Sequence, residues 1–126
     1  MVKSLRLIVL GIMGRTPLAG VAWQVLHYLE GFRRLGFDVY YLEDTQAWPY
    51  DPERNTVSED CSYAVRHIES LMSWCGLRDR WSYRSAQGRS FGLSDSEVAG
   101  LLKRSHALVN LTGGTVLRAE HLQVPV

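Results

Sequence analysis

Six residues, Leu5-Arg6-Leu7-Ile8-Val9-Leu10, run almost wholly apolar into Gly11-Ile12-Met13-Gly14-Arg15-Thr16-Pro17. A short apolar run bounded by glycine fits a parallel strand covered on both faces. The glycines then carry the chain from strand into helix, which is the opening unit of an α/β domain. In open α/β sheets ligands collect where strands end and helices begin. Gly11 and Gly14 permit close backbone approach to a ligand, and they equally fit a tight strand-to-helix turn. Arg15, just ahead of the helix, is either an anion contact or a solvent-facing loop residue.

Downstream, helical and extended patterns alternate. Thr16 before Pro17 predicts a capped start, and Ala22, Val25, Leu26 and Leu29 recur at helical spacing, so a helix is expected over Pro17–Leu35. Gly36 ends it, with Arg33 and Arg34 suited to its carbonyl end. Phe37–Leu42 reads as the second strand. Thr45–Val57 reads as a long loop, in which Trp48 and Tyr50 either cover a sheet edge or line a cleft. Ser58 is the expected cap of the next helix, whose apolar face runs Cys61, Ala64, Val65, Ile68, Leu71, Met72 and Cys75 to an end near Gly76.

Trp81-Ser82-Tyr83 predicts a short strand and Ser85–Gly88 a turn. Ser94 and Glu97 form a capping box ahead of Val98, Leu101 and Leu102. Ala107–Leu111 reads as another buried strand, followed by the glycine-containing turn Thr112-Gly113-Gly114-Thr115. If both strands lie in one parallel sheet, both glycine turns open on its carboxyl edge, where N–H groups and hydroxyls face one ligand. Val116–Leu122 is a short helix or turn, and Val124-Pro125-Val126 the start of a further strand.

Most ready-made chemistries are missing. Glu43-Asp44 after the second strand would suit a ribose only behind G-x-G-x-x-G, and Gly11, Gly14 and Gly20 have the wrong spacing. Without it these two acids read as solvated loop residues. There is no P-loop and no Gly-x-Ser-x-Gly. His27, His67, His106 and His121 lack zinc-ligand spacing, and His106 is expected at the opposite sheet edge. Cys61 and Cys75 read as buried thiols in a reducing compartment.

The 126 residues suffice for one core-forming domain, and 46% hydrophobic with 21% charged types fits a folded chain. The formal charge of +1 gives no reason to expect a polyanionic partner. Nucleic-acid binding would need Arg78, Arg80, Arg84 and Arg89 clustered beside exposed Trp81 and Tyr83. No signal peptide or membrane-spanning run is legible, and a cytoplasmic protein is expected.

The first strand into Gly11-Ile12-Met13-Gly14, the passage Phe32-Arg33-Arg34-Leu35-Gly36-Phe37-Asp38-Val39, and the closing Ala107–Gly114 together resemble the amino-terminal half of a GT-B type glycosyltransferase. The likeness covers most of the chain. It implies a three-layer Rossmann-like α/β domain with a mostly parallel sheet, a truncated piece of a two-domain protein. It also implies an acceptor-side domain, inactive without a carboxyl-terminal donor domain. A nucleotide-sugar would be the donor substrate, with no tightly bound cofactor and no metal. The resemblance places Gly11, Gly14 and Arg15 on the cleft side and Thr112, Gly113, Gly114 and Thr115 on the opposing rim. A base is not assignable, because Met13 and Arg15 stand where such enzymes often carry a histidine. The alternative is a self-contained, non-catalytic α/β ligand-binding or oligomerisation module, as monomer or homodimer.

Overall fold

The computed structural model describes residues 4–124. A mixed five-stranded sheet organises it, built from β1 (Arg6–Leu10), β2 (Asp38–Glu43), β5 (Trp81–Arg84), β6 (Ser90–Gly92) and β7 (Ala107–Asn110) in the order β6-β5-β2-β1-β7. All neighbours are parallel except the antiparallel β5–β6 pair. A separate two-stranded hairpin joins β3 (Tyr50–Asp51) to β4 (Thr56–Val57). The helices are α1 (Ala19–Arg34), α2 (Ser62–Trp74) and α3 (Asp95–Arg104).

Two-residue alternation sorts the strands into two faces. Leu7, Val9, Val39, Tyr41, Trp81 and Tyr83 pack with the α1 residues Val25 and Leu29 and the α2 residues Ile68 and Met72. Ile8, Leu10 and Leu42 pack on the other face with Leu101 and Leu102 of α3 and with Val124. Helices thus cover both faces, a three-layer α/β arrangement compatible with a Rossmann-like fold. Because β1 has β2 on one side and β7 on the other, the strand order reverses between β1 and β7. That crevice is the switch point at which such sheets bind ligands.

The helix starts differ from expectation. Leu18, not Thr16, is the N-cap of α1, and no side chain caps it. Thr16 is held back in the first loop, its N–H bonded to the Ile12 carbonyl at 2.9 Å. Ser58 does not cap α2 either, for its Oγ accepts from the Asp60 N–H at 3.1 Å, ahead of the helix. Cys61 is the N-cap, and the Asp60 carboxylate accepts from the Ser62 N–H at 3.0 Å. The box at α3 forms as read, with the Glu97 N–H donating to Ser94 Oγ and the Ser94 N–H to Glu97 Oε1. Cys61 and Cys75 are free and half-buried rather than fully buried.

Three further readings are refined. The Thr45–Val57 loop contains the β3–β4 hairpin, whose turn is ordered by Asp51 Oδ1 accepting from the Glu53 N–H at 2.9 Å. Strand β6 was not read at all, and it pairs Tyr83 with Phe91 across the hairpin. Trp81 and Tyr83 are core residues, so the stacking surface that nucleic-acid binding requires is not formed by them. His106 does lie at the amino edge, exchanging hydrogen bonds with Arg6. Val124 is buried, while Pro125 and Val126 lie outside the described residues. Among the described residues no helix is long and apolar enough to cross a membrane.

Both long helices end in the same way. Gly36 at φ +95° and Gly76 at φ +79° follow the C-caps of α1 and α2. The N–H groups of Phe37 and Leu77 return to the carbonyls of Phe32 and Met72. This is the Schellman arrangement, closed after α1 by an edge-on Phe32–Phe37 contact. At Gly36 an added Cβ meets nothing within 4 Å, so only backbone strain opposes it, whereas at Gly92 it would lie 2.4 Å from the Trp81 carbonyl oxygen. Gly36→Ala is therefore expected to lower unfolding free energy by about 1 kcal/mol. Gly92→Ala should cost distinctly more, by urea denaturation, and equal effects would refute this distinction.

Candidate functional site

Pairing of Leu10 with both Leu42 and Asn110 brings the carboxyl ends of β2, β1 and β7 level. The first glycine loop, Gly11–Thr16, and the second, Leu111–Thr115, consequently leave the same sheet edge side by side. They touch: a Cβ on Gly114 would lie 2.7 Å from Cγ2 of Ile12. Thr112 and Gly113 are exposed, Gly114 half-buried, and Arg15 in the first loop exposed.

The first loop is held by a residue that sequence reasoning left in solvent. Glu43, the last residue of β2, is 1% exposed. Its Oε1 accepts from the Gly14 N–H at 2.8 Å and from the Tyr41 hydroxyl at 2.5 Å, and its Oε2 accepts from the Arg15 N–H at 2.7 Å. The Tyr41 oxygen in turn accepts from the Met13 N–H at 2.9 Å. Three successive loop N–H groups are thereby satisfied from β2. The glycines fit around these anchors. A Cβ on Gly11 would meet the Tyr41 ring at 2.9 Å, and one on Gly14 would meet Ile68 Cδ1 at 2.7 Å and Glu43 Oε2 at 3.2 Å.

Burial pushes the Glu43 carboxyl up to about 7, with the loop N–H groups, the Tyr41 hydroxyl and the Arg15 charge working against it. Burial, reinforced by the Glu43 charge, raises Tyr41 well above the ordinary phenol range and raises Tyr83 in the same direction.

The second loop is clamped by Asn110, another residue not singled out in advance. Its Nδ2 donates to the Thr115 carbonyl at 2.7 Å and its Oδ1 accepts from the Thr115 N–H at 3.3 Å. Between these ends Thr112 takes φ 59° and Gly113 φ 66°. A left-handed β-branched residue is strained, and such residues persist where surrounding structure over-determines them. Thr115 is buried, and its Oγ1 has no hydrogen-bond partner.

Of the aromatic loop residues, Tyr50 is half-buried and its N–H donates to the Arg15 carbonyl at 2.9 Å, docking the hairpin on the first loop. Trp48, two residues earlier, is 50% exposed. Asp44 is not simply solvated: Arg118 pairs with it and also holds Glu120. The carboxyl edge thus brings together Gly11, Gly14, Arg15 and Tyr50 on one loop system and Thr112–Thr115 on the other. Glu43 and Asn110 could have been suspected from their places at strand ends, but no pattern says that an acid there turns inward. No group of three or more His, Cys, Asp or Glu that could hold a metal ion occurs among the described residues.

Comparison of the chain with known protein families, curated proteins and solved structures gives no match.

The raised Glu43 has a definite linkage sign. The folded state binds more protons than the unfolded state between about 4.5 and 7. This contribution to stability is full at lower pH, declines as pH rises through that window and is flat above it. Carboxyl-carbon NMR is expected to give a Glu43 midpoint near 7. The declining segment should be absent from the stability profile of Glu43→Gln. A midpoint below about 5, the ordinary range of an exposed glutamate, contradicts this account.

Proposed function

We propose that this chain is the acceptor-side domain of a nucleotide-sugar-dependent glycosyltransferase of the GT-B type. In this reading a second Rossmann-like domain holds the donor and closes over the carboxyl edge. The reading is carried by the contact between the two loops at the switch point, Gly114 against Ile12. That contact makes a continuous rim on which Arg15, Thr112 and Gly113 are exposed.

The state of the first loop supports an acceptor-side role over a dinucleotide-binding one. A phosphate cradle in a strand-to-helix loop needs free N–H groups. Here the loop N–H groups of Gly14 and Arg15 are occupied by Glu43. The acid at the end of β2, which would otherwise hold a ribose, is turned into the protein. What the rim offers a substrate is shape, the Thr112 hydroxyl, exposed backbone and the Arg15 cation.

Exposed apolar side chains flank both loops in the chain, with Leu18 after the first and Val116 and Leu117 after the second. A closing domain would cover such residues and exclude water, so that a departing diphosphate meets fixed charge rather than solvent. In that closed state Arg15 contacts the donor phosphates from the acceptor side.

The test uses the natural polypeptide that contains these residues. Incubated with UDP-, GDP- and dTDP-hexoses, it is expected to release nucleotide from at least one of them. Arg15→Ala, a change at an exposed position, should reduce the rate about tenfold, as expected for one lost hydrogen bond to a charged group. No release from any donor, together with no NMR perturbation at Ile12, Arg15, Thr112 or Gly113, would overturn the reading. Perturbation at those residues without release would favour a non-catalytic ligand-binding module instead.

A further inference from the structure

A second concave site lies on the other face of the sheet. It is a cavity of about 360 Å³ at the carboxyl ends of β2 and β5, walled by α3 and by the turn His121–Gln123. Its volume falls in the range of about 300–1,000 Å³ typical of small-molecule pockets. No residue of Gly11–Thr16 or Leu111–Thr115 lines it, although Glu43, the anchor of the first loop, does.

The floor is apolar, made by Leu42, Val98 and Leu102. The walls carry Arg84 and Lys103 against Asp44, Asp95 and Glu120. Arg118 lies behind, bound to both Asp44 and Glu120. Glu43 is the fourth carboxyl of the lining, against three cations with Arg118 included, and its two oxygens are already taken by Gly14, Arg15 and Tyr41. Two groups in this wall have unused hydrogen-bonding capacity. Arg84 Nε is buried without a partner, and its nearest ion-pair contact, to Asp44, is at 3.9 Å. His121 is only 3% exposed, and its Nδ1 accepts from the Arg118 N–H at 3.0 Å. With Nδ1 an acceptor, the neutral ring carries its proton on Nε2. Burial, and then the Arg118 charge, lowers the His121 pKa and keeps the ring neutral.

We propose that this cavity binds a small neutral polyhydroxylated ligand, a monosaccharide or cyclitol. A hydroxyl donates and accepts at once, so a ring of hydroxyls satisfies the carboxylates with its protons and Arg84, Lys103 and His121 with its oxygens. Its C–H face rests on Leu42, Val98 and Leu102. A phosphorylated or carboxylated ligand would instead bring its charge against Asp44, Asp95 and Glu120 in a confined space. Neutral chemistry is favoured because Asp44, Asp95 and Glu120 are matched by Arg84, Lys103 and Arg118, while Glu43 spends its oxygens on the first loop and Tyr41. The inference stands on this cavity alone and does not rest on the transferase reading.

Ala99, on the exposed rim of the cavity, allows a blocking variant that leaves the core alone. The protein is titrated with glucose, galactose, mannose and myo-inositol, and in parallel with glucose 6-phosphate and glucuronate, and read by NMR. At least one neutral ligand is expected to shift Ser82, Val98, Ala99 and His121 saturably. Ala99→Trp should abolish the shifts with the remaining spectrum unchanged, and Arg84→Met should weaken binding about tenfold. Three outcomes overturn the proposal: no saturable shift with any neutral ligand, tighter binding of the charged analogues, or shifts that survive Ala99→Trp. Shifts confined to Ile12, Thr112 and Gly113 would also overturn it, while leaving the loop site standing.

Discussion

A buried carboxylate holds the carboxyl edge of this protein together. Leaving an ion in a low-dielectric interior costs several kcal/mol unless hydrogen bonds and charge replace its water. Glu43 has two backbone N–H donors and one phenol directed at it. Those donors bring its pKa down only to about 7 against full burial, so desolvation outweighs hydrogen bonding and charge together. The structural return is a weld between the end of β2 and the loop after β1. Gly14 can then lie against Ile68 and Ala64 of α2 with no room for a side chain. Loss of the carboxylate would therefore loosen loop, strand end and helix together, since each is positioned by the same few contacts.

The two loops at the switch point are built on different principles. The first is buried at Gly11, Met13 and Gly14 and held from below by β2. The second is clamped only at its ends, by the Asn110 side chain on Thr115. Its tip carries a left-handed threonine in solvent. A fixed platform facing a strained, end-clamped tip suits a rim that meets a ligand from one side only. Local strain of this kind, about 1–3 kcal/mol per residue, is retained where the surrounding contacts outweigh it.

Much of the fold was legible because its signals are local. The apolar run Leu7–Leu10, the helical face Ala64–Ile68–Met72, the Ser94–Glu97 box and the terminating glycines Gly36 and Gly76 each announce themselves within a few residues. The α1 start was misread because Thr16 has a competing backbone partner in Ile12, which no propensity reports. Strand β6 was missed because three residues are too few to show alternation, and its pairing with β5 supplies the order instead. The site was half legible. Glycine-containing turns after apolar strands are visible in sequence, but the inward turn of Glu43 depends on its meeting Gly14 across 29 residues of chain.

That inward turn decides what the edge can bind. In a phosphate-binding βα unit the loop N–H groups remain free and the helix start supplies partial positive charge to an outside anion. Here an internal anion has taken the place, and α1 begins beyond the loop at Ala19, with Pro17 and Leu18 intervening. A phosphate could use those N–H groups only by displacing a carboxylate that would keep just the Tyr41 hydroxyl as a partner. The exchange would replace one set of charge-assisted bonds with another and leave a buried carboxylate with that one donor, which is strongly unfavourable. The N–H groups of Met13, Gly14 and Arg15 are therefore closed to an outside anion, and Arg15 is the cation the first loop presents to solvent.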